Sequence, residues 1–389
     1  MAKYNFDDSR YAAFFKSSEG RQILQSFIDS SEMLKVNYNW WRTQFSKAPQ
    51  MTPTDADGKA TFMVKARKES SAPMMNWRAP LGEPTVMETQ GLSFYTGPVI
   101  DFISDAIEEN AMEREYNERM YQQFGNDADI IMAWTKKVQT LIDGKDQTLN
   151  YMGAYLQSTG KLDWKIGRGI QGQVQKAEIP EENFVNAGTK VWSASDCKIF
   201  TQMVQIEDAF RQRTGYAGAM KWLITDDMFR DVFLKNSQVK EWVNYVRSLD
   251  QFTMVLPDIT VVPDELFNKA AAAFPKLSPI EIVVEKEKDK NWAGEKMVHG
   301  WKEGIAVLRP VGDAGLIQYT EVLDKTMADK SGNNVVATNF GMLDGGIAYL
   351  VNSTLANGRY KSWQTSVMMS AVPCLTEFPN HVIVDTTQV

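Results

Sequence analysis

Between residues 127 and 158, apolar side chains recur at spacings of three and four: Ile131, Trp134, Val138, Leu141, Leu149, Met152 and Leu156, with one polar step at Lys145. This period predicts one amphipathic helix, capped at its start by Asp127 or Asp129 and ended by Gly160. At ~1.5 Å per residue such a helix is about 48 Å long, so the fold has to accommodate a rod. Gly144 lies in its middle, where a bend costs least.

The flanking segments differ in character. In residues 1 to 50, Phe14-Phe15, Ile23-Leu24, Phe27-Ile28 and Met33-Leu34 suggest a short amphipathic helix without a core of its own, an arm that packs on something else. Residues 49 to 98 carry Pro49, Pro53, Pro73, Pro80, Pro84 and Pro98, one alternating run Thr61-Phe62-Met63-Val64-Lys65, and a hairpin-type turn signal at Asp57-Gly58. They read as a long extended loop or two-stranded excursion. Residues 99 to 124 are acidic and expected to be helical.

Short strands and loops are expected from 161 to 192. A helix from about Asp196 to Arg213 should bury Ile199, Met203, Ile206 and Phe210. A strand at 220 to 225 then leads into a helix whose first turn holds Asp226 and Asp227, the charge a helix N-terminus favours. Val239, Trp242, Val243, Val246 and Leu249 mark a further helix. Strands follow at Phe252 to Leu256, Ile259 to Val262, Ile280 to Val284, Ile305 to Leu308 and Leu316 to Thr320, an α+β pattern without internal repeat. The tail, Trp363 to Val389, holds two apolar strand-like runs that finish a sheet.

Composition removes several function classes. A chain of 389 residues with 43% hydrophobic content can bury a substantial core. Its 49 acidic and 42 basic residues leave a charge of −7, which repels a phosphate backbone and permits only weak or local contact with nucleic acid. Cys197 and Cys374 form no CxxC pair and read as buried apolar thiols in a reducing compartment, with no zinc site. The start of the sequence is not a secretory signal, and no run of about 18 apolar residues offers a membrane span.

Catalytic motifs are weak. Gly167, Gly169 and Gly172 fit GxGxxG, but dinucleotide binding needs a helix opening at the third glycine, and the polar stretch that follows is broken by Pro180. A glycine-rich turn is the better reading, with a nucleotide-binding enzyme as the alternative. His299 and His381 have no catalytic neighbour in sequence and read as structural. Glu285-Lys286-Glu287-Lys288-Asp289-Lys290 reads as a solvated loop, and Met74-Met75-Asn76-Trp77-Arg78 as apolar groups set out to meet another chain.

The periodic helix ending at Tyr155 to Lys161, the Trp192 to Gly215 module, Trp222-Leu223-Ile224-Thr225-Asp226 with its helix, and the tail Ser366 to Val384 follow one another in a telling order. In that order the sequence resembles the major capsid proteins of tailed bacteriophages, of the Hong Kong 97 fold, and most of all the lambda-type major head protein group. The resemblance implies an N-terminal arm at 1–50, an extended E-loop at 51–95 and a P-domain at 96–194 built on the 127–158 spine. An A-domain at 195–350 and a return to the P-domain at 351–389 would follow.

It also implies a non-enzymatic subunit without cofactor or metal. Such a subunit would be made in the host bacterial cytoplasm and assemble with itself into hexamers and pentamers of a virion shell around double-stranded DNA. Portal, scaffold and decoration proteins would be its other partners, with no membrane. Phe62, Val64, Met74, Met75, Trp77 and Arg78 are the expected inter-subunit contacts of the E-loop. A nanocompartment shell protein of the same fold is the alternative. No covalent cross-link is expected, although Lys59, Lys65 and Lys68 lie in the E-loop.

Overall fold

The computed structural model describes residues 22, 26, 40–51, 63–67, 92–96, 103–109, 111–124, 128–162, 165–166, 170–171, 175–249, 264–283, 287–291, 294–322, 338–357 and 360–389. The chain forms two compact units. One gathers Met1–Phe62, Pro98–Asn150 and Ile317–Pro373; the other gathers Met63–Gly97, Tyr151–Leu316 and Cys374–Val389.

The predicted rod is a 32-residue helix, Ala128–Thr159, and the chain passes from the first unit to the second within it. Its apolar stripe is its buried stripe: Trp134, Val138, Leu141, Leu149, Met152 and Leu156 are all inside. Lys145 stands in the same stripe and is also buried. At the C-terminal end the Gly160 amide donates to the Leu156 carbonyl at 2.8 Å, with φ at 69°, a left-handed cap that glycine adopts without strain. Gly144 lies on the exposed side, and a Cβ there would meet nothing within 4 Å. The helix passes through it unbroken.

In the first unit a four-stranded antiparallel sheet has the order Thr338–Leu343, Ala348–Asn357, Tyr360–Met369, Ile103–Glu108. Ile103–Glu108 corrects the expectation of helix from 99 onward: its backbone is taken up by the ladder with Gln364–Met369, and helix begins only at Ala111, running to Phe124. Buried Val322, Tyr349 and Val351, with half-buried Met368, pack together in this unit. A three-stranded sheet orders Phe45–Lys47, Gly315–Tyr319 and Ala371–Leu375.

The second unit is built on a five-stranded mixed sheet of order Ile280–Val283, Met220–Thr225, Ile305–Pro310, Val382–Asp385, Phe184–Asn186. The two outermost pairs are parallel and the two inner pairs antiparallel. Ile305–Pro310 is buried throughout, as a central strand covered on both faces must be. The helices Ile199–Thr214, Ser237–Leu249 and Asp264–Ala273 contribute to one aromatic core, where Trp192 meets Phe233 edge-on at 5.8 Å and Phe229 meets Phe267 at 4.8 Å. Ile199, Met203 and Phe210 are buried as expected, whereas Ile206 is half-buried. After Met220–Thr225 the helix is capped by the Thr225 hydroxyl, which accepts from the Met228 amide at 3.1 Å, so Asp226 and Asp227 occupy its first turn and do not cap it.

The alternating run at 61–65 is described as the strand Met63–Arg67, antiparallel to Leu92–Thr96, while Asp57-Gly58 lies outside the described residues. One sequence expectation changes here. The supposed solvated loop contains a ribbon, Glu287–Asn291 against Gly294–Val298, whose register sets Asp289 opposite Lys296 and Lys290 opposite Glu295. Phe252 to Leu256, Ile259 to Val262 and the amphipathic segment expected near 14–34 lie outside the described residues.

Candidate functional site

The glycine motif sits in a run of short antiparallel pairs: Lys161–Leu162 with Gln175–Lys176, and Lys165–Ile166 with Ile170–Gln171. Gly167, Gly169 and Gly172 themselves lie outside the described residues. The next described element after them is the strand Gln175–Lys176, with no helix opening to aim amides at a pyrophosphate.

His381 is fully buried, and its Nε2 lies 2.7 Å from the Gln157 carbonyl near the end of the long helix. Burial pushes its pKa down to about 4, partly offset by that hydrogen bond, and the field of Arg309 lowers it further. It is a structural histidine. His299 Nε2 lies 3.6 Å from Asp227 Oδ2, a carboxylate neighbour that sequence spacing could not show. Both are substantially exposed, and they make an ion pair only when the imidazole is protonated.

Arg309 is buried at the heart of the five-stranded sheet, donating to the carbonyls of Pro310 at 3.0 Å and Gly312 at 2.8 Å. Desolvation lowers its pKa to about 10 against the opposing fields of Glu281, Asp313 and Glu377. Cys197 and Cys374 are buried thiols, and burial raises the pKa of Cys197. Among the described residues no group of three or more His, Cys, Asp or Glu could hold a metal ion. No helix there is long and apolar enough to cross a membrane.

The first unit is locked by charge instead. Lys145 contacts Asp344 and lies 3.0 Å from Asp146; Arg42 contacts Asp344 and lies 3.5 Å from Asp146. Trp41 donates its indole N–H to Asp146 at 3.2 Å and its backbone N–H to Asn150 at 2.9 Å. Lys145 and Asp146 side chains have no solvent exposure, so each charge survives only because opposite charge and hydrogen bonds surround it. The cluster thus fastens Trp40–Gln44 and the turn at Asp344 to the middle of the long helix. No local pattern announced it; the one trace in sequence is the interruption of the apolar stripe at Lys145.

The expected contact residues of the extended loop are only partly visible. Val64 lies in Met63–Arg67, paired in register with Tyr95, while Phe62, Met74, Met75, Trp77 and Arg78 lie outside the described residues. A second exposed feature went unread in the sequence: the helix Ala111–Phe124 presents Met112 at 83% and Tyr116 at 62% exposure, and Met132 on the long helix is 59% exposed. Apolar residues four apart in a charged helix were the available signal.

No protein-family model matches the chain, and no curated protein matches it in sequence. Solved structures do match. A protein described as a prophage capsid protein from E. coli CFT073 is similar at 13% identity with a TM-score of 0.50, over 94% of this chain and 98% of that one. This chain has the Hong Kong 97 capsid fold. A phage-related protein of Bordetella bronchiseptica RB50 matches at 10% identity and TM-score 0.48, over 94% of this chain and 97% of that one. The capsid of Ralstonia phage GP4 matches at 11% identity and TM-score 0.41, over 92% and 93%. Within the Hong Kong 97 fold, the α+β reading from sequence stands, and its elements combine without a catalytic constellation among the described residues.

Proposed function

We propose that this chain is the major capsid subunit of a tailed phage or prophage, assembling through identical copies into an icosahedral shell around double-stranded DNA. The observation that carries this reading is the end-to-end likeness to the prophage capsid protein, which leaves almost none of either chain unmatched. A virion shell is then its place, and its work is assembly rather than catalysis. Portal, scaffold and decoration proteins are its further partners, and the order of its modules aligns it with the lambda-type head proteins. In this reading 1–50 is the arm, 51–95 the E-loop, 96–194 the P-domain, 195–350 the A-domain and 351–389 the return to the P-domain.

Shell building suits weak, repeated contacts. One contact of ~4 kcal/mol alone is only about millimolar, yet a subunit held by several neighbours is effectively fixed. The negative net charge fits a lining that does not grip its genome. The test is negative-stain imaging and sedimentation of the purified protein, with a variant lacking residues 55–96, which removes both strands of the hairpin. Closed particles from the full chain and monomers from the variant are expected. Monomers from the full chain under every ionic condition refute the reading.

A further inference from the structure

The turn that follows the buried central strand Ile305–Pro310 lines a cleft of about 430 Å³ within the second unit. Tyr216, Pro310, Val311 and Leu316 give the cleft an apolar lining, and Asp313 and Glu377 give it two carboxylates. The fold fixes these walls. Buried Arg309 donates from one guanidinium nitrogen to the carbonyls of Pro310 and Gly312, and the Val311 amide donates to the Ala219 carbonyl at 3.0 Å. The Thr376 amide donates to the Ala314 carbonyl at 3.2 Å, and a Cβ on Gly315 would stand 1.8 Å from the Cys374 carbonyl oxygen, an approach that only glycine permits. The Tyr216 ring is buried against Phe210, their centroids 6.3 Å apart. The cleft is therefore preformed, as small-ligand sites usually are.

Charge around the cleft does not balance among the described residues. Arg309 feels the fields of three carboxylates, Glu281, Asp313 and Glu377. Lys221 meets Glu281 at 2.6 Å, so two cations answer three anions and one negative charge is in excess. Glu377 is half-buried and accepts from the Asn380 amide nitrogen at 3.4 Å, whereas Asp313 and Val311 are exposed, so a ligand can reach both the acidic and the apolar lining.

We propose that this cleft binds an alkylammonium group, its charge answered by Asp313 and Glu377 and its methylenes laid along Tyr216, Val311 and Leu316. The mixed lining selects the class. A bare inorganic cation would use the carboxylates and leave the apolar wall idle, while an uncharged apolar ligand would take Glu377 out of water without a partner. A cation carried on an aliphatic stem satisfies both, in the way a lysine covers apolar surface while its charge stays solvated or paired. Two sources present that group: a free diamine or polyamine, and the lysine side chain of a second copy. The first is independent of the capsid reading, and the second rests on it.

The test titrates the full-length protein with cadaverine in a calorimeter at low ionic strength, then couples carboxylates to amines with a carbodiimide and maps the products by peptide mass spectrometry. Asp313→Asn/Glu377→Gln should weaken cadaverine binding by about ten-fold or more. Val311→Lys should abolish it, because it sets an ammonium of the chain's own at an exposed position in the cleft and leaves both carboxylates in place; its circular dichroism spectrum should match wild type. Coupling of cadaverine to Asp313 or Glu377 marks the free amine as a source. Coupling of either carboxylate to a lysine across 14N- and 15N-labelled copies marks the neighbouring subunit. Either product, lost in Val311→Lys, supports the site. It is overturned if neither product forms, if the products persist in Val311→Lys, if both variants bind cadaverine as wild type does, or if magnesium at equal concentration displaces the amine. Each of these outcomes is read whether or not particles form, so failure of the site is separate from failure of the capsid reading.

Discussion

Replacing Lys145 by Met leaves three of the four charges in the first unit's buried cluster. Arg42, Lys145, Asp146 and Asp344 balance as two of each sign; without Lys145 the set carries an excess negative charge around a carboxylate with no solvent exposure. Removing one member of a buried pair costs about 3–5 kcal/mol. Arg42, with a quarter of its side chain exposed, still reaches both carboxylates, which places the loss near the lower end, about 3 kcal/mol. With a urea dependence of ~3 kcal/mol per molar, the unfolding midpoint of the first unit falls by about 1 M. Hydrogen exchange should accelerate first in peptides covering 40–47 and 338–350, the segments the cluster fastens to the helix. Adding Asp146→Asn restores the balance, because Arg42 and Asp344 remain as a pair and the asparagine carbonyl still accepts from the Trp41 indole; the double variant should lose less than Lys145→Met alone. A Lys145→Met protein with a wild-type midpoint, or a double variant at least as unstable as the single one, refutes the account of the cluster as a charge-balanced lock.

Gly144→Ala should stabilise the long helix by about 0.5–1 kcal/mol, since glycine there uses neither unusual backbone nor tight packing, and calorimetry should show a higher melting temperature. If particles of that variant form but fail to expand, bending at this point is part of shell maturation; normal expansion removes that role. His381 makes stability fall with acid: its folded pKa of about 4 lies below the ordinary 6.5, so the unfolded state takes up the proton first. The loss begins as pH drops below about 6.5 and levels off below about 4, totalling ~3 kcal/mol. His381→Gln, which can still donate to the Gln157 carbonyl, should flatten urea midpoints measured across that window; an unchanged slope refutes the assignment.

What sequence could show depended on how local each cause was. The long helix was legible to within a residue or two at each end because one 3.6-residue period runs its length, and Met220–Thr225 because an apolar run is bounded by polar neighbours. Ile103–Glu108 was not, since Ile-Ser-Asp-Ala-Ile-Glu has mixed character and is held extended by a partner strand more than 250 residues away. The ribbon at 287–298 failed for a related reason: charges that look solvated one by one become cross-strand pairs only once register is known. The cluster joining positions 42, 145, 146 and 344 is likewise a product of tertiary contact. Helix Ala111–Phe124 was expected, but the exposure of Met112 and Tyr116 shows only in three dimensions.

The segment Tyr360–Asp385 lays a strand in each of three sheets: Tyr360–Met369 in the four-stranded, Ala371–Leu375 in the three-stranded and Val382–Asp385 in the five-stranded. During synthesis, therefore, all three sheets stay open until this segment has been translated. A nascent or prematurely stopped polypeptide keeps gaps where those strands belong, and it has no finished surface to offer a growing lattice.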